Sequence, residues 1–315
     1  MGAVLRKAVA AWACMLGGAG PACAGADPAG QGAAGVVHSG HVPAGYVLDW
    51  HDEFDSPLDA GAWAHFLTDR PREWVRLSRE AVSNEAGGVL VLTASDTARG
   101  PVSAWITTQP TYRRAGGYFE ARIQPQAASG LRGAFWMLSA SIGQPPGRPS
   151  IAGGEIDILS YDGDAEGDRA LSQGVYWESY EDTPVVRTNA SGQIRKLSNA
   201  PPQRVSATLV DLASAGVTNA PASAGYHIFS LLWTETEYVF HVDGRETFRT
   251  TQGVSQAPHF LCLSLLPPPG AGGRSRAANL PASMRVDYVR VYAAPAEAPA
   301  PPRPSTNAAP AGSPP

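Results

Sequence analysis

Short runs of apolar residues, punctuated by Gly and Pro, recur through the middle of the chain, and amphipathic helical stretches are hard to find. Val89–Thr93 after Gly87-Gly88 reads as a strand buried on both faces, and Trp105–Thr108 as a short strand. Gly116–Ile123 places Phe119, Ala121 and Ile123 on one side, with Glu120 and Arg122 as an ion pair on the other. Further strands are expected at Gly133–Leu138, Gln173–Trp177, Tyr226–Trp233, Tyr238–Phe248 and Met284–Tyr292. Asp243-Gly244 is a type I′ hairpin signal. Residues 181–224 read as polar loops with a strand at Val205–Leu212. These elements predict an all-β sandwich of two sheets, and periodicity alone leaves its topology open between jelly roll and immunoglobulin-like.

Composition narrows the setting. The 315 residues suit one large β domain or two modest ones. Lys and Arg number 24 against 28 Asp and Glu, with no basic run past the N-terminus, so nucleic acid is not an expected partner. Residues 1–24 read as a signal peptide: Arg6 and Lys7, an apolar run from Ala8 to Ala19, then Ala22-Cys23-Ala24. The run is shorter than the ~20 apolar residues a spanning helix needs. A periplasmic or secreted monomer without a membrane span in its mature form is the expectation. Residues 25–45 read as a flexible leader, 46–293 as the folded domain and 294–315 as a disordered Pro/Ala tail. Cleavage would leave Cys262, within an apolar run, as a lone buried thiol.

The candidate chemistry lies in Gly153-Gly154-Glu155-Ile156-Asp157-Ile158-Leu159-Ser160-Tyr161-Asp162-Gly163. Alternation sends Ile156 and Ile158 to a core and sets Glu155 and Asp157 side by side on the opposite face. Neighbouring acids repel and raise each other's proton affinity, a cost that points to chemical use. This stretch resembles the active-site strand of glycoside hydrolase family 16, Glu-x-Asp-x-Glu or Glu-x-Asp-x-x-Glu. Trp50–Asp55, Gly116–Ile123, Gly133–Leu138 and the last strand are similar to further family motifs, in the same order, across about residues 46–292.

The resemblance implies a concanavalin A-like jelly roll of two curved antiparallel sheets with an open cleft and the acids on its floor. It implies retaining endo-hydrolysis or transglycosylation of a β-linked glucan or galactan, with Glu155 as nucleophile and Asp157 tuning it. Ser160 then stands at the position of the general acid/base, returned to the acids' face by a bulge. Asp162, Asp164, Glu166 and Glu178 are substitute acids to weigh, Asp162 first, against a simple Tyr-Asp-Gly turn. Trp136, Trp177 and Tyr176 are candidate substrate-binding residues, while Trp50, Trp63, Trp74, Trp105 and Trp233 belong to core or rim. No cofactor is required. A structural calcium is implied at Asp287 with Glu53, and the acids of 162–168 form either a calcium loop or a solvated one. His227 and His241 read as structural. The rival readings are a non-catalytic carbohydrate-binding protein on the same scaffold and a structural sandwich in envelope polysaccharide assembly.

Overall fold

The apolar alternation is realised as two stacked antiparallel sheets. The computed structural model describes residues 38–58, 61–67, 75–127, 130–163, 170–177, 185–188, 194–197, 204–217, 222–267 and 280–295. With strands numbered in chain order, the first sheet runs β13 (Arg204–Asp211), β10 (Ala170–Trp177), β9 (Gly154–Tyr161), β8 (Arg132–Ser139), β17 (His259–Leu266) and β6 (Gly100–Thr107). The second runs β5 (Val89–Thr97), β18 (Ala282–Ala293), β7 (Gly117–Gln124), β14 (His227–Trp233), β15 (Tyr238–Val242) and β16 (Arg245–Thr250). β5 and β6 pair from Ser95–Val102 to Thr97–Gly100, where the chain passes between layers. β1 (Val47–Asp52) pairs with β18, and β4 (Val82–Glu85) with β5. The two-residue strands β2 (Ala64–His65) and β3 (Arg76–Leu77) flank β6, and β11 (Val185–Thr188) pairs with β12 (Ile194–Leu197).

One continuous core joins the inner faces. Phe135, Met137, Ile156, Leu159, Leu261 and Leu263 come from the first sheet, and Phe119, Ala121, Ile123, Phe229, Leu231, Val289 and Val291 from the second. Each set is spaced by two along its strand outside the bulges, as a half-buried strand requires. Burying such side chains stabilises by about 1.5–3 kcal/mol each, which suits a fold whose one described cysteine, Cys262, is free and buried.

Several expectations are refined. Asp243 and Gly244 both have positive φ, 48° and 73°, and close the β15–β16 hairpin as expected for type I′. Asp243 also accepts from the buried His227 Nδ1 at 2.7 Å and the Ile228 N–H at 2.8 Å, so His227 is structural. Glu120 and Arg122 do not pair with each other. Glu120 is buried and accepts from Ser39 Oγ at 2.7 Å, while Arg122 bonds Asp287 at 2.7 Å. The strand expected at Trp105 is longer, beginning at Gly100. Part of the expected leader packs on the fold, through Ser39 and through His38, 3.2 Å from the Tyr292 hydroxyl. Among the described residues no helix is long and apolar enough to cross a membrane.

Candidate functional site

β9 carries one residue more than its neighbours between Asp157 and Ser160. Against β8, Trp136 pairs with Asp157 and Phe135 with Leu159, so Ile158 is extra. Against β10, Gly174 pairs with Asp157 and Ser172 with Ser160. Ile158 and Leu159 therefore both enter the core, and Ser160 comes back to the face of Glu155 and Asp157. An unbulged strand would have shown Leu159 there. The three polar side chains keep only 6, 8 and 5% of their surface exposed. They are almost buried rather than laid open on a groove floor.

Cross-strand partners define their surroundings, since residues directly opposite in a ladder share a face. On β10, Tyr176 lies opposite Glu155 and Gly174 opposite Asp157. On β8, Leu138 lies opposite Glu155, Trp136 opposite Asp157 and Ala134 opposite Ser160. Beyond β8, Cys262 and Ser264 of β17 continue the rows, and Trp136 Nε1 donates to Ser264 Oγ at 3.1 Å. The Trp136 ring tilts against Trp105 at 5.0 Å, and Trp105 stacks on Phe66 at 4.6 Å and 16°. Tyr176 and Trp136 thus share the face of the two acids. Trp177, on alternate parity, packs into the core and is not on this face. Trp63 and Trp233 are core, Trp50 packs against it, and Trp105 joins the aromatic row beside the acids.

Burial and a cation, Arg132, act against each other on the acids of this face. Arg132 of β8 grips Asp162 just past β9, with Nε and Nη2 at 2.6 and 2.5 Å from its two oxygens. Both Asp162 oxygens are taken up by this fork, so the acid weighed first as a substitute has a structural partner. Burial pushes the Asp157 carboxyl up, to about 7, against the pull of the Arg132 charge. Burial and the charges of Asp157 and Glu155 push the Tyr176 phenol up, opposed by Arg132. Burial likewise drives the Cys262 thiol up to about 12, which matches the expected inert thiol.

Asp164, Glu166, Asp168 and Glu178 lie outside the described residues, as does Trp74. Each of the two residues named for calcium is engaged by an arginine. Asp287 pairs with Arg122, and both Glu53 oxygens engage Arg290, at 2.8 and 2.7 Å. Among the described residues no group of three or more His, Cys, Asp or Glu could hold a metal ion. Arg132 was legible in principle, since it continues the Ala134, Trp136, Leu138 parity one step earlier. Phe66 and His259 were not, because only long-range pairing brings them near the acid strand.

A jelly-roll sandwich whose bulged strand sets paired carboxylates on its outer face, among aromatic rings, is a carbohydrate-active type of scaffold. Residues 74–267 match the profile of Glycosyl hydrolases family 16, more than half of the chain, and the chain belongs to that family. Over 275 residues it is 26% identical to the keratan-sulfate endo-1,4-beta-galactosidase of Sphingobacterium multivorum, covering 79% of this chain and 56% of that protein. Over 296 residues it is 25% identical to glucan endo-1,3-beta-glucosidase A1 of Niallia circulans, covering 79% of this chain and 38% of that one. The chain therefore spans just over half of the length of the first and less than two fifths of the second. Among solved structures, the endo-beta-1,3-glucanase from Pyrococcus furiosus shares the fold at a TM-score of 0.59 and 22% identity, covering 79% and 94% of the two chains.

Proposed function

We propose that this chain engages a β-linked polysaccharide, a glucan or galactan, across the face of Glu155, Asp157 and Ser160, with Glu155 as glycosyl-accepting nucleophile. The observation that carries this reading is the bulge in β9, which gathers those three side chains opposite Tyr176 and Trp136. Family membership supports glycosidic chemistry, and the two curated relatives are named as endo-acting enzymes on β-linked glycans.

A retaining glycosidase uses two carboxyl groups ~5–5.5 Å apart, one attacking the anomeric carbon and one protonating the departing oxygen. Glu155 fits the first task. Its oxygen forms the glycosyl ester as the bond to the leaving oxygen breaks, and water then attacks the ester to release the sugar. Asp157, beside it and holding its proton to near-neutral pH, tunes the proton affinity of Glu155. Ser160 occupies the second position, and a hydroxyl is too weak an acid to donate a proton at neutral pH. Loss of a general acid costs about 10²–10⁴-fold in rate, so ordinary linkages turn over slowly while activated ones do not suffer. The capture of Asp162 by Arg132 favours a second reading, a carbohydrate-binding protein on the same scaffold.

An aryl β-glycoside, whose phenolate leaves unprotonated, separates the two. The expected result is turnover that disappears in Glu155→Gln, survives Ser160→Ala, and extends to natural glucan in Ser160→Glu. Oligosaccharide binding without turnover in every variant would overturn the enzymatic reading and leave the binding one.

A further inference from the structure

His259 is the first residue of β17, two strands away from β9, yet its ring reaches the backbone at the start of the acid strand. The Gly154 N–H donates to His259 Nε2 at 3.1 Å, and His259 Nδ1–H donates to the Ala257 carbonyl at 2.8 Å. These two bonds require the neutral ring with its proton on Nδ1. The last β8–β9 pair is Leu138–Glu155, so Gly154 lies just beyond the end of that ladder. The imidazole takes over where β8 stops.

The site is built for this contact. Gly153 has φ of +73°, and a Cβ there would run into Ser139 and the His259 ring. Ser139 Oγ donates to the Ala152 carbonyl at 3.0 Å, fixing the preceding turn from the β8 side. Trp233 of β14 meets the imidazole edge-on at 4.9 Å and 84°. His259 itself is buried. Its nearest charged neighbour in the ladder is Arg114, whose backbone bridges His259 while its guanidinium turns to Asp49 at 3.0 Å and to the Gly116 carbonyl. The next titratable group along β9 is Glu155, on the opposite face.

We propose that His259 is a positioning residue for Glu155: its unprotonated Nε2 holds the Gly154 amide and so fixes the backbone from which the nucleophile projects. Protonation would turn that acceptor into a donor facing another donor, and the start of β9 would be released. Burial holds the ring well below its ordinary proton affinity, to about 4, which keeps the acceptor available at neutral pH. This rests on the reading of Glu155 as nucleophile, so the test carries one arm that needs no turnover.

His259→Phe keeps the bulk and removes the acceptor, whereas His259→Gln offers an amide oxygen and an N–H in its place. On an aryl β-glycoside, kcat is expected to fall about ten- to hundredfold in His259→Phe, since small misplacements of a reacting group have effects of that order, with KM within about twofold. His259→Gln should recover most of it. In the arm without substrate, the carboxyl ¹³C titration of Glu155 should shift in His259→Phe and return in His259→Gln, with Gly154 amide exchange accelerated only in the former. An unmoved Glu155 titration, or equal behaviour of the Phe and Gln variants in both arms, would overturn the proposal. A shifted titration in a chain that turns over no glycoside would uphold positioning and reject the enzymatic reading alone.

Discussion

Asp157 stands among groups that pull its proton affinity in opposite directions. Burial raises it and Arg132 lowers it, and the first dominates, so the carboxyl keeps its proton to about pH 7. A folded pKa above the unfolded one means that the folded state binds more protons between about pH 4 and 7. The cost of burying Asp157 is therefore absent below about pH 4, grows as pH rises from there to about 7, and is complete above 7. Asp157→Asn, which keeps the shape and removes the charge, is expected to raise the melting temperature at pH 8 and leave it nearly unchanged at pH 4. A calorimetric scan at the two values checks this, and a lower melting temperature at pH 8 would mean that Arg132 outweighs burial. The pair of acids was legible from alternation alone. That Asp157 is held protonated was not, because that depends on its burial between β8 and β10 and on Arg132, brought in by β8.

At the scale of elements, β9 works because its neighbours yield to it. Gly174 lies opposite Asp157 on one side and opposite Ala207 on the other, and a Cβ there would collide with that of Ala207. Gly174→Ala should push β13 from β10 and lower stability by about 1–3 kcal/mol, the usual cost of overpacking, read from a urea midpoint. An unchanged midpoint would show that β13 moves aside freely. The bulge follows the same logic. Ile158 and Leu159 are both apolar, so a strand that takes both into the core must gain a residue, and Ser160 is turned out as a consequence. The resemblance to the family's longer motif implied that bulge, whereas plain alternation would have placed Leu159 on the acids' face. The opposite parity of Trp136 and Trp177 was not readable, since each strand carries large apolar or aromatic residues on both faces and the pattern alone does not say which face is the core.

Across the whole molecule, two buried titratable groups give stability slopes of opposite sign. His259 is held down to about 4, so the unfolded chain takes its proton first, and stability present above about pH 6.5 is lost as pH falls towards 4. The shift corresponds to up to about 3 kcal/mol. Asp157 acts the other way over an overlapping range. Removing one group at a time should expose the other: in Asp157→Asn the denaturation midpoint falls more steeply on acidification than in the unaltered protein, and in His259→Gln it falls less steeply. Urea titrations at half-unit pH steps read both slopes, and parallel curves for the variants would remove these two residues as their source.

Local chemistry was enough to determine many of the strands (though not β17), the Asp243-Gly244 hairpin, the β-sandwich class and the pairing of Glu155 with Asp157 on one face. Those follow from alternation, positive-φ turn residues and apolar spacing, all of which act within a few residues of the chain. Only the tertiary structure decided that the acids lie almost buried, that Asp162 is gripped by Arg132, that Trp105 and Phe66 join the aromatic row, and that His259 reaches Gly154. Each of these depends on residues 30 to 105 positions apart, or on which face of an apolar strand meets the other sheet. Ladder register settles such contacts, and register belongs to the assembled sheets rather than to any one stretch of sequence.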